Sequence, residues 1–335
     1  MRRPRRGITG VLLGVVVSAA ALLLALRWSG WAPLLAVLRQ VDYFVLVPAA
    51  AIYLISMAAR ALAWQVILGG RASLLRMLAA LNQGYLMNNL LPWRMGELGR
   101  AILLGRLPGL SPAMVLSSIV VERLYDMSLA VALLLALSPV AFGASWAPRA
   151  ALVGGLAVIL ALGVLWLVLA RPQAVEWMLR RLPGGLGRWQ GLWENLRAGL
   201  ASLRDARQLL AGFAWMVLSW ALAGGEYWLV LRAFVPEAQA TWALLALCVS
   251  LLGVAIPSAP GYIGVFEASA VAALAVFHVD SSLALGYALI LHGLHFGMTT
   301  LLGAAALAGE GETLTGALRL IRSWTGGAAE GSEAK

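Results

Sequence analysis

Six long apolar runs constrain this chain more than any other feature. They lie at about 8–26, 43–68, 113–137, 150–170, 209–232 and 281–308. Each is near the length of roughly 20 residues that a tilted helix needs to cross about 30 Å of hydrocarbon. A backbone inside a bilayer must satisfy its own hydrogen bonds, so runs of this length are helices. The fold class expected is therefore all-α, a polytopic helical membrane protein.

Two further apolar regions are interrupted. Residues 74–104 are broken by Asn88, Asn89 and Pro92, and residues 241–278 by Pro257, Pro260, Gly261 and Gly264. Each can be a broken helical hairpin or two crossings, giving about six full spans plus two hairpins, or about eight to ten spans.

Charge sets the orientation. Only 12% of the 335 residues are charged, yet the net charge is +10. In a soluble protein that excess would suggest nucleic acid. Here the arginines gather in short loops, as the positive-inside rule requires, and no nucleic-acid partner is expected. Arg2, Arg3, Arg5 and Arg6 place the N-terminus inside. The loop 171–208, with Arg171, Arg180, Arg181, Arg188, Arg197, Arg204 and Arg207, is also inside, and its Trp177, Trp189 and Trp193 suggest amphipathic helix at the interface. Arg319 and Arg322 place the C-terminus inside as well.

On this count the two broken regions enter from opposite faces, which is the geometry of an inverted repeat. The expected organisation is a transmembrane domain over 1–310 and a short cytoplasmic tail over 311–335, in a multi-pass protein of the cell (inner) membrane. The first run is longer than a signal-peptide core and lacks a clear cleavage site, so a retained signal anchor is expected.

Three constellations put costly groups at membrane depth. The first is MNNLLPWRMGELGR, with Asn88, Asn89, Pro92, Arg94, Glu97 and Arg100. Glu97 and Arg100 are three apart and share a helix face. Pro92 suits a helix start, whose free N–H groups beside Arg94 suit an anion such as a phosphate. The alternative is that Arg94 or Arg100 neutralises Glu97 and the asparagines cap the broken helix.

The second is VVERLYDM, where Glu122 and Asp126 face the same way and Arg123 can pair with Asp126. Each such group costs about 2.5–3.5 kcal/mol at the bilayer centre if unpaired, so they face protein or water. They serve either as a helix-locking salt-bridge network or in substrate or proton handling. The third is IPSAPGYIGVFEAS: Pro257, Pro260, Gly261 and Gly264 break the helix, and Glu267 returns a charge near the next N-terminus. Carbonyls ahead of the prolines are candidates for a cation or for headgroup hydroxyls, and an ordinary turn between two spans is the alternative.

Arg60 and Glu226 also interrupt apolar spans, so the membrane-depth charges nearly cancel. His292 and His295 lack a recognised metal motif and read as buried, hydrogen-bonded histidines; no metal and no cofactor is expected. Cys248 is alone, which excludes an intrachain disulfide. No P-loop, dinucleotide turn or nucleophile elbow is present, so an ATPase or acyl-enzyme is not expected.

NNLLPWRMGELGR, ERLYD and PSAPGYIGVFE, in this order, resemble the flippase-like family that includes the transmembrane region of lysylphosphatidylglycerol synthases, over roughly Gly7 to Gly309. The resemblance implies a protein that moves a polar-headgroup lipid (aminoacyl-, phospho- or polyprenyl-linked) between leaflets, with envelope-lipid or glycan synthesis enzymes as partners. Bifunctional members carry a soluble C-terminal domain that transfers lysine from its tRNA to phosphatidylglycerol. This chain stops at GSEAK soon after its last span, so synthase activity is not expected. Tyr262 stands where the family often has glycine, which implies a narrower or more interfacial second hairpin. Two other functions are compatible with these residues: an intramembrane lipid-phosphate or glycan transferase with Glu97 or Glu122 as base, and a scaffold for an envelope-lipid synthesis complex.

Overall fold

The computed structural model describes residues 16, 18–27, 29–91, 95–137, 171–181, 205–255 and 259–320, with isolated positions at 149, 152, 153, 155, 156, 159, 160, 193 and 194. Pro92, Arg94, Pro257 and most of the run 150–170 lie outside the described residues. Among the described residues there are helices and turns but no strands, as expected for a polytopic helical membrane protein.

The helices are α1 (Ser18–Arg27), α2 (Trp31–Gln40), α3 (Leu46–Ile67), α4 (Leu74–Leu90), α5 (Gly96–Leu104), α6 (Pro112–Leu137), α7 (Pro172–Arg180), α8 (Ala206–Phe234), α9 (Ala240–Val254), α10 (Val265–Ala275) and α11 (Ser281–Gly309). Tyr43–Ile67, α8 and α11 are long and apolar enough to cross a membrane. At 26 residues α6 has the length too, but Glu122, Arg123 and Asp126 interrupt its apolar character. Large apolar side chains such as Phe44, Val47, Leu75, Leu210 and Leu301 are exposed, as a lipid-facing surface requires.

The largest helix–helix interface joins α3 and α8. Small residues line it: Ser56 meets Ser219, and Gly212 lies against the Ala63 backbone. Close backbone approach is what holds helices together where lipid removes the hydrophobic drive. At the centre of this interface the Ser56 hydroxyl donates to the Ser219 carbonyl oxygen at 3.0 Å.

Both interrupted regions are hairpins. At 1.5 Å per residue α5 is about 14 Å long and α10 about 17 Å, well short of the roughly 30 Å hydrocarbon core. Each instead folds back on its predecessor, α5 on α4 and α10 on α9. Gly84 meets Gly96 in the first hairpin, and Gly253 meets Ser269 in the second. Trp242 stacks on Phe277 near the base of the second, ring centroids 5.0 Å apart.

The hairpins run toward each other along α11. At the base of the first, Arg76 pairs with Glu310, just beyond the C-terminal end of α11, at 2.9 Å. At its tip, the Asn89 amide donates to Thr299 and Thr300 at 3.0 Å each. The second begins near the N-terminal end of α11, and its tip reaches the same level: a Cβ on Gly261 would lie 2.8 Å from the Phe296 ring and 3.6 Å from the Asn89 carbonyl oxygen. Two hairpins entering from opposite ends and meeting halfway is the arrangement expected of an inverted repeat.

The ends are fastened by polar contacts. Asp280 caps α11, its carboxylate accepting from the Ser282 hydroxyl and from the Ser282 N–H, the latter at 2.8 Å. Those two bonds hold the Asp280 carboxyl below the usual carboxylate range. Past α11, Arg106 pairs with Glu312 at 2.5 Å. The helical segment 314–320 buries Ala317 against Leu86, Met87 and Leu103, so the start of the tail covers the first hairpin.

Of the amphipathic helix expected in 171–208, α7 is described. It leaves Trp177 and Met178 exposed, and the Arg181 guanidinium lies 3.7 Å over the Trp177 ring. The short α2, ahead of the second run, was not anticipated. Its continuous apolar stretch, Leu34 to Leu38, is too short to stand out beside runs of about 20 residues.

Candidate functional site

The ERLYD segment organises the site. In the middle of α6, Glu122 and Asp126 are one helical turn apart and both fully buried. Such carboxylates require partners, and arginines from two other helices supply them. From α3, Arg60 sends Nη1 to Glu122 Oε1 at 2.6 Å. Its two terminal nitrogens also grip Asp126, Nη2 to Oδ1 at 2.6 Å and Nη1 to Oδ2 at 3.0 Å. From α5, Arg100 Nη2 reaches Glu122 Oε2 at 2.8 Å.

The network extends in both directions. Arg123 pairs with Asp126 at 3.2 Å, as its spacing of three predicted. Arg123 also approaches Glu97 at 3.9 Å. The Trp220 indole N–H donates to Asp126 Oδ1 at 3.0 Å. The Arg100 guanidinium lies 4.6 Å over the Trp64 ring, whose own N–H donates to Ser118 at 2.9 Å. Arg60, Arg100 and Arg123 balance Glu97, Glu122 and Asp126, so these six groups are neutral together.

Arg100 does not neutralise Glu97, its neighbour in sequence. It turns to Glu122 because both are buried, and an ion pair gains most where water is excluded. Glu97 is the more exposed, with its side chain 19% accessible.

The asparagines are structural. Asn88 Oδ1 accepts the Gly96 N–H at 2.8 Å, capping the start of α5 as the alternative reading proposed, while Asn89 ties the hairpin tip to α11. The second hairpin is held in the same manner. Pro260 begins a short turn with Gly261 at φ 70° and Tyr262 at φ 59°, the left-handed region that glycine adopts most readily. The Ala259 carbonyl, expected to be available to a cation, instead accepts the Tyr262 N–H at 3.1 Å. Gly264, at φ 87°, is packed against the backbone of Ser18, where a Cβ would lie 2.1 Å from the carbonyl oxygen. Glu267 accepts the Gly264 N–H at 2.6 Å and meets His292 Nδ1 at 2.7 Å.

Where the hairpin tips meet α3, α8 and α11 there is a cavity of about 240 Å³. Its polar wall includes Tyr53, Arg60, Tyr85, Asn89, Glu226 and His295. Of the residues singled out from the sequence as a site, Asn89 reaches this wall directly. Glu97, Arg100, Glu122, Arg123 and Asp126 stand behind Arg60, and Asn88, Pro260, Gly261, Gly264 and Glu267 shape the hairpins. Arg60, Glu226 and the histidines line the cavity without having been assigned to it. Their signal was the cost of an ionisable group inside an apolar span, and the missing information was which spans face one another. Both histidines are hydrogen-bonded as expected, each to a glutamate, and no cluster of three metal-ligating side chains occurs among the described residues.

Comparison with known proteins points in one direction. Residues 11–303 match the family described as the lysylphosphatidylglycerol synthase TM region. A UPF0104 membrane protein of Methanothermobacter thermautotrophicus is 25% identical over 307 residues, covering 86% of this chain and 90% of that protein. No solved structure matches.

Proposed function

The chain belongs to the family of the lysylphosphatidylglycerol synthase transmembrane region, and from that premise we propose that it moves a polar-headgroup lipid between the leaflets of the cell membrane, leaving the lipid covalently unchanged. The observation that carries the reading is the placement of Arg60. It lines a cavity at the meeting point of two opposed hairpins, backed by a self-neutralised set of buried charges. The six charges of that set sum to zero. An anionic headgroup that enters the cavity exchanges places with Glu122 or Asp126 on Arg60, and the released carboxylate retains Arg100 or Arg123.

Arginine suits this exchange because its planar fork matches phosphate and carboxylate alike. The hairpins, one from each end of α11, give the headgroup a route from either leaflet. The apolar exposed flanks leave the acyl chains in the bilayer throughout.

Purified protein in liposomes is expected to accelerate transbilayer movement of at least one member of a panel of phospholipid, aminoacyl lipid and polyprenyl-linked lipid, recovered with unchanged mass. No acceleration across the panel, or a covalently altered product, contradicts the proposal. Arg60→Lys keeps the charge but loses the fork. It is expected to slow movement by about tenfold or more, because one charge-assisted hydrogen bond is worth about 1.5–3 kcal/mol. Initial rates in the same liposomes check this.

A further inference from the structure

Two carboxylate–imidazole pairs stand at the cavity apart from the arginine network, each at 2.7 Å: Glu226 with His295, both on its wall, and Glu267 with His292, of which the histidine alone lines it. They are not equivalent. Glu267 is satisfied at both oxygens, one by His292 and the other by the Gly264 N–H. It is committed to holding the second hairpin. Glu226 is fully buried, with Oε1 on His295 Nε2, while its Oε2 has no hydrogen-bond partner among the described residues.

A bare carboxylate oxygen shielded from water is costly, and adding a proton removes the charge that makes it so. The imidazole beside it is the side chain best suited to exchange that proton near neutral pH. His295 is itself held in place by stacking on Tyr53, ring centroids 4.4 Å apart.

The surrounding groups leave this role to the pair. Facing it are Tyr53 and Arg60 from α3, Tyr85 from α4, Asp126 from α6, Tyr227 on its own helix, Cys248 from α9, Glu267 from α10, and Tyr287 and His292 from α11. Arg60 and Asp126 are engaged with each other, and Glu267 with Gly264 and His292. Phenols and thiols ordinarily titrate above the range of an imidazole.

We propose that Glu226 and His295 form a proton-binding pair, loaded and unloaded through the cavity, which couples lipid movement to a proton gradient; the coupling rests on the lipid-transport reading. One proton arrives from water on the side of lower pH, is held on the Glu226 carboxylate hydrogen-bonded to the His295 ring, and departs to water on the other side. No other bond is made or broken. At one proton per lipid, each unit of imposed pH difference holds about a tenfold ratio of lipid between the leaflets.

Two measurements on the purified full chain test the pair. Infrared difference spectra between about pH 5 and pH 8, the range over which imidazole charge changes, are expected to show the carbonyl band of a protonated carboxyl that disappears in Glu226→Gln and persists in Glu267→Gln. Should Glu226→Gln fail to fold, His295→Gln is expected to shift the band. In liposomes, the ratio of phospholipid movement with and without an imposed gradient is expected to exceed one for the wild type and to fall to one in Glu226→Gln and His295→Gln. Absence of the band, or a band unchanged in both variants, overturns the proposal. Wild-type movement that is indifferent to the gradient overturns the coupling and leaves lipid transport standing. A protein that shows the band but moves no lipid, with or without a gradient, overturns the transport reading and the coupling with it.

Discussion

Glu122→Ala is expected to cost about 3–5 kcal/mol of stability, the range for removing one partner of a buried ion pair. Glu122 is fully buried and bridges Arg60 on α3 to Arg100 on α5. Without it Arg60 keeps Asp126, but Arg100, which is 3% exposed, keeps among the described residues the face of Trp64. The loss is that of a stranded cation more than that of a bond. Glu122→Ala combined with Arg100→Leu should therefore recover part of the stability, a coupling that a double-mutant cycle reads directly. Glu312→Ala provides the contrast: it breaks the Arg106 pair, whose side chains are 52% and 25% exposed, and is expected to cost at most about 1 kcal/mol. Unfolding midpoints in a single mild detergent, measured across the set, check all three.

Gly96→Ala is expected to open the first hairpin. A Cβ at this position would sit 1.9 Å from the Gly84 carbonyl oxygen and 2.6 Å from Asn88 Oδ1. The first is backbone of the facing helix and cannot rotate away. The second is the acceptor for the Gly96 N–H, so the new methyl displaces the cap that starts α5. Overpacking costs about 1–3 kcal/mol, and stranding the capped N–H adds about 1–3 kcal/mol. Since α5 carries Arg100, the damage should reach the ion-pair network and lipid movement together. Gly225→Ala and Gly293→Ala are the controls: both sit within long helices with nothing within 4 Å of the new methyl, and are expected to be neutral or to gain up to about 1 kcal/mol. Stability and transport rate, compared across the three variants, separate a specific close approach from a general intolerance of alanine.

The architecture was largely legible because its elements are written locally. The run 281–308 is the helix Ser281–Gly309, and 43–68 contains Leu46–Ile67. The breaks at Asn88 to Leu91 and at Pro260 to Gly264 lie at the tips of two hairpins, and α5 and α10 are each too short for a second crossing. The spacing of Arg123 and Asp126 correctly foretold a pair within one helix.

Partnerships between helices were not legible. Arg100 has Glu97 three residues away and pairs with Glu122, because depth in the protein outweighs nearness along the chain. Glu226 and His295 are 69 residues apart, and only the packing of α8 against α11 brings them together. Arg60 was visible as a charge in an apolar span, but its neighbours were not. The sequence thus revealed which groups are costly, while the fold determines how each cost is met.

Lipid transport by this fold requires a headgroup to enter the cavity between the hairpin tips. The most direct measurement is photo-crosslinking in liposomes with a phospholipid carrying the photoreactive group on its headgroup, followed by mass spectrometry of the labelled peptides. Adducts are expected on Tyr53, Tyr85, Tyr262 or Phe296, which line the cavity, and are expected to be lost when excess unlabelled lipid competes. Adducts confined to the outer surface, at residues such as Phe44 and Leu301, would contradict headgroup entry.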